Sequence, residues 1–132
     1  MVPNTRSPAI VIVDDDADML SLLRILMLDV APTYDILAVG DAQSALNYLA
    51  ERPIPLLITD YMMPHMNGLE LTRAVKAASP ATHVVMITAY SSAMLEQRAR
   101  EYQVDTFLAK EAMFTLKDVA RSVLGLTTPV DE

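Results

Sequence analysis

Short apolar runs, rich in β-branched side chains or leucine, recur at residues 10–13, 36–39, 56–59, 84–88 and 106–108. Between them the apolar positions open out to a helical period, near 19–30, 43–52, 69–78, 93–102 and 116–124. Five strands alternating with five helices predict a doubly wound α/β fold, a parallel sheet covered on both faces. The run Val84-Val85-Met86-Ile87 has no polar position, which suits a strand buried on both sides.

The punctuation between elements agrees. Pro32 and Pro80 follow the first and third helical stretches, and Pro53 and Pro55 bracket the entry to the third strand. Asp41 is placed to cap the second helix, and Asn67 with Glu70 has capping-box spacing for the third. Thr115 with Asp118 suggests the same device for the last helix. Residues 1–8 read as a flexible leader, 9–125 as one domain, and 126–132 as a tail or the start of a linker.

Composition narrows the classes. With 10 Lys and Arg against 17 Asp and Glu the net charge is −7, which argues against direct binding to nucleic-acid phosphates. The absence of cysteine excludes disulfides, thiolate catalysis and cysteine-ligated zinc. The apolar stretch at residues 9–13 is too short for a signal peptide or a span, so a cytoplasmic location away from membranes is expected.

The candidate chemistry lies where strands stop. The first strand runs into Asp14, Asp15 and Asp16, and the third into Asp60. Open α/β sheets bind ligands at the carboxyl ends of their strands. If the two ends are neighbours, their carboxylates raise one another's pKa and a dication reverses this. The triplet alone is also compatible with a solvated turn and a helix N-cap. A calcium loop starting at Asp14 fails, because Met19 and Ile25 stand where glycine and glutamate are needed. A phosphatase of the haloacid dehalogenase type also opens on strand-end aspartates, but Asp18 stands where threonine or valine is expected. His65 and His83 read as loop or strand-edge residues rather than catalysts.

The segment Asp60-Tyr61-Met62-Met63-Pro64-His65-Met66-Asn67-Gly68-Leu69-Glu70-Leu71 joins an acidic strand end, a proline-fixed loop and a glycine at a helix start. Here the chain resembles the receiver domain of two-component response regulators, over about residues 9–124. The resemblance implies a flavodoxin-like sheet of order 2-1-3-4-5. It also implies that Asp60 accepts a phosphoryl group from a phosphohistidine on a sensor histidine kinase or a histidine phosphotransfer protein. Asp14 and Asp15 match the acidic pair that helps to hold Mg²⁺ (or Mn²⁺), Asp15 directly and Asp14 through water. Met62 would add its backbone carbonyl. Thr88 matches the hydroxyl at the end of the fourth strand, Lys110 the lysine at the end of the fifth, and Phe107 the aromatic switch position. Met62 and Tyr90 match the positions that govern water access to the acyl phosphate; both are bulky, so self-dephosphorylation should be slow.

On this resemblance the chain is a signalling switch that assists its own phosphorylation and dephosphorylation, not an enzyme acting on an external substrate. It would control a downstream protein or an output domain, as a monomer or weak homodimer. The rival classes are a phosphorylation-independent interaction module on the same fold and a magnesium-dependent phosphatase. Two departures bear on geometry. Glu111 follows Lys110 where the family usually has proline, and a cis bond without proline costs about 2.5–4 kcal/mol, so a trans joint is expected. Gln103-Val104 replaces a common Gly-Ala pair before the fifth strand. The first helix is apolar beyond one stripe, as either a broad core contact or a docking or dimer surface would require.

Overall fold

The structure, a computed structural model, describes residues 7–126. Five strands, β1 (Ala9–Val13), β2 (Asp35–Val39), β3 (Leu56–Thr59), β4 (His83–Thr88) and β5 (Thr106–Ala109), form one parallel sheet of order β2-β1-β3-β4-β5. They alternate with α1 (Ala17–Val30), α2 (Ala42–Glu51), α3 (Gly68–Ala78), α4 (Ala93–Glu101) and α5 (Leu116–Leu124). The expected fold and strand order are therefore those observed. The leader and tail expectations fall largely on residues 1–6 and 127–132, outside the described residues.

The period of two along a strand divides the core. Ile10 and Ile12 of β1, with Leu56 and Ile58 of β3, face α1 and α5, where Leu23, Met27 and Leu116 are buried. Ala9, Val11 and Val13 face the other way, against Ala45 of α2 and Leu71 and Val75 of α3. A third, smaller cluster joins Leu69, Met86, Leu95, Ala99 and Val104 beneath α4. The central strands β1 and β3 are buried throughout, whereas every residue of β5 is only partly covered, as befits an edge.

Two of the three expected caps form. Asp41 accepts from the Ser44 N–H at 2.7 Å. Asn67 and Glu70 make a reciprocal capping box, with both bonds at 2.9 Å. The Thr115 and Asp118 expectation is corrected: a 3-10 segment (Lys110–Thr115) leads directly into α5, and the Leu116 N–H is met by the Met113 carbonyl. The Thr115 hydroxyl donates instead to the Ala112 carbonyl at 2.8 Å, and Asp118 pairs with Arg121 at 3.4 Å. Asp16 caps α1 and starts it at Ala17, two residues before the apolar periodicity begins.

Candidate functional site

Sheet register builds the acid cluster. Val13 of β1 lies beside Thr59 of β3, so the next residues, Asp14 and Asp60, leave the sheet side by side. The Asp60 N–H donates to the Val13 carbonyl at 3.1 Å, which fixes this adjacency. Ligating oxygens of Asp14, Asp15 and Asp60 all lie within 4.8 Å of one another. The three carboxylates differ in setting: Asp14 is 2% exposed, Asp60 is half-buried and Asp15 is open to solvent.

Backbone donors aim two of them. The Asp16 N–H donates to Asp14 Oδ1 at 2.9 Å, and the Tyr61 N–H donates to Asp60 Oδ1 at 2.8 Å. Burial pushes the Asp14 carboxyl up to about 6; the Asp16 N–H opposes this and the Asp60 charge adds to it. Burial also raises Asp60, against the Lys110 charge and the Tyr61 N–H, while Asp15 and Asp16 push the same way as burial. Without a cation the pocket therefore tends to retain a proton.

The other two strand ends complete the edge. Thr88 ends β4 opposite Ala109 of β5, so Lys110 is the next residue beyond that pair. Lys110 Nζ stands 3.9 Å from Asp14 Oδ2. Thr88 is fully buried, and its Oγ accepts the Tyr90 N–H at 3.0 Å. Phe107 lies on β5, partly buried against the cluster beneath α4. Met62 and Tyr90 flank the edge on the loops after β3 and β4, at 52% and 63% exposure. Among the described residues no peptide bond is cis, so Lys110–Glu111 is trans.

Some residues that shape the site carried no clear signal in the sequence. Gly68 begins α3 directly against the loop after β3, where an added Cβ would collide with the Asp60 carbonyl oxygen and crowd Met86. Its N–H donates to the Tyr61 carbonyl at 2.8 Å, and its carbonyl accepts the Thr72 hydroxyl at 2.7 Å. The Gly at a helix start was visible; the close approach that requires it depends on the folded loop. His65 lies in the same loop at φ +71°, and His83 opens β4 with Nε2 2.8 Å from Thr106 Oγ1. Neither histidine belongs to the acid cluster.

A match to the response regulator receiver domain family covers residues 10–120. The chain belongs to this family. The receiver domain is 32% identical over 113 residues to the DNA-binding response regulator MtrA of Mycobacterium tuberculosis, covering 82% of this chain and 48% of that one. It is 34% identical over 103 residues to the cyclic di-GMP phosphodiesterase response regulator RpfG of Xanthomonas campestris, covering 76% and 27%. The chain thus spans about half or less of the length of these curated relatives. The signal receiver domain of a DNA-binding response regulator from Colwellia psychrerythraea superposes with a TM-score of 0.82 at 18% identity, covering 89% of this chain and 98% of that one. That likeness is one of fold. The receiver domain of an HD domain-containing protein from Pseudomonas fluorescens gives 0.74 at 26% identity, covering 91% and 99%. Among the described residues no helix of this receiver domain is long and apolar enough to cross a membrane.

Proposed function

We propose that this receiver domain accepts a phosphoryl group on Asp60 and converts its presence into a change of shape. The observation that carries the reading is the convergence of Asp14, Asp15 and Asp60 oxygens within 4.8 Å, with the Lys110 ammonium 3.9 Å from Asp14. The donor is a phosphohistidine on a sensor histidine kinase or a histidine phosphotransfer protein. An Asp60 carboxylate oxygen attacks phosphorus, the P–N bond breaks, and the imidazole nitrogen leaves with the bonding pair. An acyl phosphate is formed. Such a transfer asks for positioning and charge stabilisation more than for covalent chemistry.

Each neighbour has a part in that task. The Tyr61 N–H holds Asp60 Oδ1 and so turns the other carboxylate oxygen toward the donor. Lys110 offsets charge on the transferring oxygens. Thr88 already accepts a hydrogen bond from Tyr90, which leaves its hydroxyl hydrogen to donate to a phosphoryl oxygen. The donor set is all oxygen and suits Mg²⁺ or Mn²⁺, held by Asp14, Asp15, Asp60 and the Met62 backbone carbonyl. When bound, the ion supplies positive charge that keeps the carboxylates ionised and offsets the incoming phosphoryl charge.

Phosphorylation then draws Thr88 toward the phosphoryl group, and Phe107 follows. The domain is a switch rather than an enzyme on an external substrate. It occupies residues 9–125, with 1–8 as leader and 126–132 as tail or linker, and works in the cytoplasm as a monomer or weak homodimer. It reports to a downstream protein or an output domain. Intact mass after incubation with magnesium and acetyl phosphate tests the reading. Wild type should gain one phosphoryl group and Asp60→Asn none; wild type without a gain defeats it.

A further inference from the structure

We infer that the hollow between Tyr61 and Tyr90 closes when Asp60 carries a phosphoryl group, with the Tyr90 ring moving into it against Leu95. This rests on Asp60 being the phosphoacceptor. The hollow, about 210 Å³, lies beside α4 and is lined by Tyr61, Tyr90, Ser92, Met94, Leu95 and Arg98. Its two tyrosines are wired to the two groups that a phosphoryl group engages. The Tyr61 N–H is bonded to the Asp60 carboxylate at 2.8 Å, and the Tyr90 N–H to the Thr88 hydroxyl oxygen at 3.0 Å.

The connection is short and anchored at both ends. Thr88 is the last paired residue of β4, and Ser92 caps α4 by accepting the Leu95 N–H at 3.1 Å. Only Ala89, Tyr90 and Ser91 lie between them. A shift of Thr88 toward Asp60 therefore moves the Tyr90 backbone with it, because the hydroxyl can donate to the phosphoryl group while still accepting from Tyr90. Tyr90 is 63% exposed, so its ring has apolar area left to bury, and the hollow offers Tyr61, Met94 and Leu95 as the surface to bury it on. The ring's phenol, seated there, can keep its hydroxyl in water or near Arg98. Phe107 packs against the same cluster, which includes Leu95, but does not line the hollow itself.

The test follows tyrosine nitration by tetranitromethane on the whole chain, with and without acetyl phosphate and magnesium, mapped by peptide mass and paired with intact mass. At full phosphorylation, nitration of Tyr90 should fall severalfold while that of Tyr48 on α2 stays constant. Leu95→Trp, which fills the hollow, should still be phosphorylated but should leave Tyr90 open to nitration. Phe107→Ala should retain the protection. Phosphorylated wild type with unchanged Tyr90 nitration overturns the inference while leaving the phosphoacceptor reading intact, and protection that persists in Leu95→Trp shows that the hollow is not the seat. No mass gain in wild type overturns both.

Discussion

Lys110 Nζ stands 3.9 Å from Asp14 Oδ2, the most buried carboxylate of the cluster, across the strand ends of β5 and β1. Between those strands lie β3 and β4, so the lysine reaches over the edge that carries Asp60 and Thr88. The Lys110 charge thus bears on both Asp14 and Asp60. Lys110→Met should slow phosphorylation by acetyl phosphate by roughly 100-fold, the scale of losing one preorganised donor to a charged transition state. A mass-resolved time course measures it, and a rate within threefold of wild type would remove Lys110 from the transfer.

Asp14 gives the metal-free domain an unusual pH profile. Its folded carboxyl titrates at about 6 against an ordinary 3.8, so the folded state holds the proton more tightly than the unfolded chain. That contribution to stability is present below the unfolded value and is lost as pH rises through the folded one, a loss of about 3 kcal/mol between roughly pH 4 and 6. Asp60, also raised, acts in the same direction. Urea melts in EDTA should show this decline, Asp14→Asn should reduce it to the part that Asp60 contributes, and magnesium at pH 7.5 should raise the midpoint of wild type.

Gly68 has no room for a side chain between the Asp60 carbonyl and Met86. Gly68→Ala should cost stability at the upper end of the roughly 1–3 kcal/mol typical of overpacking. Because the backbone at Asp60 has to shift, phosphorylation should fall as well, even where the variant is folded by circular dichroism.

Gln103 sits at φ +71° with a full side chain. Left-handed backbone costs an L-residue about 1 kcal/mol that glycine avoids. Gln103→Gly should therefore stabilise the domain or leave it unchanged in urea melts, and Gln103→Ala should bring no gain.

Met62 and Tyr90 stand exposed on the loops that flank Asp60. Neither is a strong base or a good water-binding group, so the acyl phosphate should be long-lived. Met62→Asn combined with Tyr90→Glu should shorten its lifetime severalfold, measured by loss of the phosphoryl mass after the donor is removed; an unchanged lifetime would show that these side chains do not shield it.

The sheet was legible because burial on two faces demands unbroken apolar strands, and β1, β3 and β4 have them. The acid cluster was legible because two apolar strands each stop at aspartate, and Asp14 and Asp60 both stand one residue beyond the paired Val13 and Thr59. The cap of α5 was not, although its start at Leu116 was. Thr115 and Asp118 have the spacing of a cap, but the chain from Lys110 winds into a 3-10 segment that packs Met113 against the core and runs straight into the helix. The left-handed residues escaped as well. His65 and Gln103 both adopt glycine-like backbone; side-chain type gives no sign of it at either, and at Gln103 the hint was the glycine that usually stands there in the resembled family.

The apolar interior is unevenly shared. The clusters on either side of β1 and β3 tie four helices to the sheet, while α4 rests on the small group formed by Leu69, Met86, Leu95, Ala99 and Val104. Less buried area under one helix means a lower free energy for moving or opening it. The domain therefore has a rigid half that holds the acids in place and a compliant corner next to them. On the proposed function, a charge placed on Asp60 should move that corner first, while the frame that positions Asp60 stays still.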